Sequence, residues 1–120
     1  MEITNVKTIK KQKVSSNLFT GRVEIATPFE DIDNIDTAVN FVSFSEGVHN
    51  KFHKHSQDQI LIVTQGRGFV ATKNERYEVK EGDIIWTPAG EVHQHGALPG
   101  HTFTHISITK SNTRLTQVEK

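Results

Sequence analysis

The 120-residue sequence contains no cysteine. That excludes a disulfide framework and any thiolate-bound metal, and it fits a reducing compartment. An excess of charge is missing too. Fourteen Lys and Arg balance 14 Asp and Glu, so no nucleic acid and no anionic membrane is expected as partner. Long apolar runs are absent: the longest aliphatic stretch is ILIV at 60–63, far short of the roughly 20 residues of a membrane helix. The N-terminal MEITNVKTIKKQKVSS lacks the apolar segment of a signal peptide, and a cytoplasmic location is expected. Hydrophobic residues make up only 34%. One modest core follows, supplemented by an apolar partner surface or a dimer interface.

What dominates is period-2 patterning in β-branched and aromatic residues, with no helical stripe of three turns. Strands are predicted at 18–26, 37–45, 59–65, 68–74, 83–88 and 102–109. Turn-forming segments separate them: TPFEDIDN, EGVHN, KEGD, PAGE and LPG. Short strands with such turns predict an all-β sandwich or barrel, a single domain over 1–120. QILIV at 59–63 does not alternate, which predicts a strand covered on both faces. Residues 1–16 are expected to form an arm strand that pairs with a second subunit, and 111–120 a polar tail.

Seven histidines stand out. His53 and His55 lie at i, i+2, and so do His93 and His95; residues at that spacing point to one face of a strand. Each pair follows a glycine-bearing turn. A lone surface histidine is rarely a ligand, but two such pairs beside apolar β runs point to a shared metal site. Gln59 shares the parity of His53 and His55. Asp58, the adjacent carboxylate, has the opposite parity and is the weaker alternative ligand.

The arrangement resembles the cupin family. The first cupin motif, G-x5-H-x-H-x3,4-E-x6-G, is matched by Gly47, His53, His55, Gln59 and Gly66. The second, G-x5-P-x-G-x2-H-x3-N, is matched by Gly82, Pro88, Gly90 and His93. Two positions depart: Gln59 replaces the usual Glu, and Ala97 the usual Asn. The resemblance implies a double-stranded β-helix, or jelly-roll barrel, holding a divalent ion on His53, His55, Gln59 and His93. Manganese is preferred; iron, zinc and nickel also suit such donors. A carboxamide in place of a carboxylate leaves the ligand set neutral, favouring Lewis-acid over oxidative chemistry.

QILIVTQGRGF, GDIIWTPAGEVHQHGA and THISI are similar to small bacterial manganese cupins with hydroxynitrile lyase activity. That narrower resemblance implies cleavage of a cyanohydrin to aldehyde and cyanide, and a homodimer or higher homo-oligomer. Alternatives are a metal-dependent dioxygenase, a non-catalytic cupin that binds a small ligand, and a purely structural metal. His95 and His105 are the candidate proton-transfer residues. By resemblance Asn40 and Val42 face the substrate cavity, with Phe44 as core. Trp86, Phe69 and Phe103 are expected in the core or cavity wall. His49 and His101 are expected to be solvated, as is the cluster Lys7, Lys10, Lys11 and Lys13.

Overall fold

The computed structural model describes residues 1–120 and contains ten strands and no helix. In chain order they are β1 (Gln12–Val14), β2 (Val23–Ala26), β3 (Thr37–Phe44), β4 (His53–His55), β5 (Gln59–Ala71), β6 (Arg76–Lys80), β7 (Ile84–Thr87), β8 (Gln94–Ala97), β9 (Phe103–Lys110) and β10 (Leu115–Gln117). All pairings are antiparallel. This is the all-β barrel that the period-2 pattern predicts.

The long strand β5 joins the two layers. Its first half pairs with β7 and β9, and its second half with β6 and β8. Between the halves the register shifts at Val63/Gln65, and Gly66 takes a φ of 81°. That left-handed backbone suits glycine, and a bulge bends and twists a strand. The predicted strands 59–65 and 68–74 are therefore one strand that changes sheet. Beyond β9 the first layer continues through β3 and β2 to β1.

The inner faces bury Val23, Val42, Phe44, Val63, Val79, Ala97 and Phe103 as one cluster. Phe69 is also buried, as expected. Nine polar side chains are buried too, and five of them are histidines. Buried polar groups are costly unless they are partnered, so this interior is built for a site as much as for packing.

The expected arm strand is present as β1, an edge strand whose Gln12–Val14 pair with Val23–Ala26 of the same chain. Other expectations are corrected. The tail is not free: β10 pairs with β4, setting Leu115 opposite His55 and Gln117 opposite His53. QILIV alternates after all. Leu61 and Val63 point inward while Ile60 is exposed, since no second layer covers that face. Trp86 lies on the same outer face and is exposed rather than in the core. His49 is half-buried, its Nδ1 hydrogen-bonding the Asn50 carbonyl at 2.9 Å; His101 is exposed as expected. No helix is long and apolar enough to cross a membrane.

Candidate metal centre

The centre starts from two short segments that the backbone binds together. His53 and His93 form an antiparallel bridge, His53 N donating to His93 O at 3.0 Å and His93 N to His53 O at 2.9 Å. Gly90, at φ 83°, donates its N–H to the His55 carbonyl at 2.9 Å. That contact draws the PAG turn across β4. The three imidazoles of His53, His55 and His93 can then offer ligand atoms within 4.8 Å of one another.

Each ring has its orientation set from behind. His53 Nδ1 lies 2.6 Å from the Lys51 carbonyl, and His93 Nδ1 lies 2.8 Å from the Glu91 carbonyl. A carbonyl accepts only, so both Nδ1 atoms carry the proton and both Nε2 atoms present a lone pair. His93 Nε2 is buried without a partner, as are His55 Nδ1 and Gln59 Oε1. Gln59 donates its Nε2–H to Ser107 Oγ at 2.9 Å. That bond points the carboxamide oxygen away from Ser107 and leaves it free as a donor atom.

A cation resolves this arrangement. Orphaned acceptors in a buried pocket cost of the order of 1–3 kcal/mol each, and a divalent ion would satisfy all of them. Burial, reinforced by the neighbouring rings, lowers the pKa of His53 to about 4. Burial and the His93 ring lower His55 to about 4, and burial lowers His93. Neutral imidazoles are the form that binds metal. The residues present fit a divalent cation held by His53, His55, His93 and Gln59.

Asp58 takes no part. Its carboxylate accepts the Ala89 N–H at 2.9 Å and the Trp86 indole N–H at 3.2 Å. Those bonds hold its pKa below the usual carboxylate range, the Ala89 amide most of all. Its opposite strand parity places it on the exterior, where it pins the PAG turn instead.

Behind the donors lies a cavity of about 100 Å³ whose wall includes His53, His55, Gln59, Val42, Phe44 and Ile25. His95 and His105 also face it, with His105 Nε2 3.2 Å from His95 Nδ1. Burial drives the His95 pKa well below its ordinary value and that of His105 to about 3. Both rings are therefore neutral near pH 7, so one nitrogen of this pair donates and the other accepts. Asn50 completes the group: its Oδ1 accepts the His95 backbone N–H at 2.8 Å, and its Nδ2 lies 3.2 Å from His95 Nε2. Val42 lines the cavity. Asn40 is turned toward Thr27, whose hydroxyl donates to Asn40 Oδ1 at 2.6 Å.

Sequence reasoning missed Ser107 and Asn50. Ser107 carried a signal, since it follows His105 at i+2 and so shares its inward face. Asn50 carried none, because its role depends on hydrogen bonds that join it to His95, 45 positions away.

Comparison with known proteins agrees with this fold. Residues 36–118 match the family described as AraC-like ligand binding domain. An (R)-mandelonitrile lyase of Granulicella tundricola is 36% identical over 109 residues, covering 90% of this chain and 83% of that one. A crystallised cupin-like protein of Thermotoga maritima superposes with a TM-score of 0.85 at 31% identity, over 94% of this chain and 89% of that one. The polyketide cyclase RemF of Streptomyces resistomycificus shares the fold, with a TM-score of 0.88 over the whole chain and 87% of its own, at 18% identity. With motif, barrel and donor set in agreement, the chain belongs to the AraC-like ligand-binding family of the cupin fold.

Proposed function

We propose that this chain is a metal-dependent lyase that cleaves a small cyanohydrin to an aldehyde and hydrogen cyanide, with manganese(II) as its ion. One observation carries the reading: His55 and Gln59, each with a buried unpartnered donor atom, face the same cavity as His53 and the buried His95–His105 pair. The Granulicella relative, named a mandelonitrile lyase, supports the reaction class. A divalent ion on neutral donors keeps its full charge and supplies Lewis-acid stabilisation to an adjacent oxygen or nitrile.

The chain's own residues handle the proton. The His95–His105 pair, in which His105 Nδ1 has no hydrogen-bond partner, accepts the hydroxyl proton of the cyanohydrin as the carbon–oxygen double bond forms. The carbon–carbon bond breaks with its electron pair leaving on cyanide. The proton held by the His95–His105 pair then passes to cyanide, so the protein returns to its starting state. Asn50 and His105 fix the His95 ring, and the apolar walls Val42, Phe44 and Ile25 exclude water from the reacting carbon.

Cleavage of mandelonitrile with and without added manganese tests the proposal. Metal-dependent release of benzaldehyde is expected, and its absence at full metal loading would reject the lyase reading. A ligand-binding cupin without turnover is the second reading, favoured by the ligand-binding family match. In that case small aldehydes or acids raise Tm while no substrate is consumed.

A further inference from the structure

The cavity that His53, His55 and Gln59 share with the His95–His105 pair is walled mainly by buried side chains. Of the residues lining it, only Leu18, Phe19, Ile25 and Leu115 are not buried. Phe19 and Ile25 pack against the core cluster, the Phe19 ring centred 6.0 Å from that of Phe44. Leu115 is different, at 46% exposed. Its strand register gives that exposure a meaning. Leu115 is the cross-strand partner of His55, and directly opposed residues share one face of a sheet. An inward-facing leucine that is nearly half bare stands where the cavity meets water.

The two ends of the chain bring Leu18 and Leu115 there. The Leu18 carbonyl accepts the Lys51 N–H at 2.7 Å, which ties the N-terminal segment beside β4. β10 pairs with β4 itself. Gln117 Nε2 then donates to Asn17 Oδ1 at 2.8 Å. One side-chain bond thus links the residue before Leu18 to the strand that carries Leu115. Both leucines are held over the segment that supplies His53 and His55.

We infer that Leu18 and Leu115 form the mouth of the cavity and select the substituent of the substrate. The reacting carbon lies inside, and an aryl or similar apolar group is held between the two leucines. This rests on the lyase reading above. Volume carries the argument. The cavity holds about 100 Å³, of which a divalent ion would take part, whereas an apolar cavity that takes one benzene measures about 150 Å³. A ring therefore cannot lie inside with the reacting carbon and nitrile, while methyl groups can. Wall chemistry agrees. The deep wall carries the polar groups of Gln59, His105 and Ser107, and the part that reaches the surface is wholly apolar. No Asp, Glu, Lys or Arg lines the cavity, so a charged substituent would lose its water without gaining a partner.

Two alcohols test the mouth without turnover. Benzyl alcohol is mandelonitrile with hydrogen in place of the nitrile, and isopropanol stands in the same relation to acetone cyanohydrin. On the manganese-loaded full chain, the rise of Tm with ligand concentration gives each Kd. Benzyl alcohol should bind at least about 10-fold more tightly than isopropanol. Leu115→Ala should raise the Kd of benzyl alcohol and the KM of mandelonitrile about 10-fold. Isopropanol and acetone cyanohydrin should each move by less than about 2-fold, with metal content unchanged. Leu18→Ala, on the other side of the mouth, should act in the same way. Val118→Ala, exposed on the same tail but outside the cavity wall, should change none of these values. Equal losses for the aryl and the methyl ligand, or no loss in either leucine variant, would overturn the proposal. So would a wild type that binds benzyl alcohol no more tightly than isopropanol. If neither cyanohydrin is cleaved, the lyase reading fails, and the two alcohols still decide the mouth.

Discussion

His53 and His93 lie forty positions apart and exchange two backbone hydrogen bonds, 3.0 and 2.9 Å long, with ring centroids 4.4 Å apart. This isolated bridge thus also brings the two imidazoles together, their planes 53° apart. His53→Ala and His93→Ala should each reduce bound metal from about one ion per chain to below about one tenth. Metal analysis of the purified variants checks this, and unchanged content in either variant refutes the ligand assignment.

Ser107 fixes which atom of Gln59 would face a bound ion, through the 2.9 Å bond from Gln59 Nε2. Ser107→Ala releases the carboxamide to rotate, and metal affinity should fall about 10-fold or more. Gln59→Glu should bind metal more tightly and cleave mandelonitrile more slowly, because a carboxylate partly neutralises the ion. Competition with a chromophoric chelator measures both affinities.

His95→Phe and His105→Phe separate proton transfer from packing. Each should retain metal, with mandelonitrile cleavage falling by about 10²-fold or more, because the two rings hold the proton as a pair. Loss of metal together with activity would instead mean that these rings only support the donors.

The metal-free protein should lose stability as pH falls. His105 has its folded pKa lowered to about 3 and His53 and His55 theirs to about 4, all by burial first. The unfolded chain takes up protons as pH drops through about 6.5, whereas the folded chain resists until about 4 and below. Stability is therefore fully present above about pH 6.5 and declines toward pH 3, with His105 the largest of the three contributions. Tm measured at intervals from pH 7.5 to pH 4 without metal checks the sign. A flat profile would contradict neutral burial of these rings.

Deleting residues 114–120 removes β10, the strand that pairs with the His53–His55 segment. Both Tm and metal retention should fall. A tail that only trails in solvent would leave both unchanged.

Much of this protein was legible in the chain itself. The convergence of His53, His55 and His93 could be read because motif spacing is local, and strand parity sets which side chains share a face. Other features were not legible. Ile60 and Trp86 look like core residues by composition, yet they face outward because β5 has a covering layer on one side only. The tail SNTRLTQVEK is too polar to announce a strand; it becomes one because β4 leaves an edge unpaired.

Local sequence rules set an all-β chain, the motif glycines that permit its turns, and imidazole and carboxamide side chains at the motif positions. These follow from local rules: side-chain period, backbone sterics and donor chemistry. Only the tertiary structure decided that Ser107 orients Gln59, that Asn50 and His105 hold His95, and that Leu18 and Leu115 line one cavity. Those relations join residues tens of positions apart across the barrel. Register and sheet closure create them, and neither is written in any short stretch of the chain.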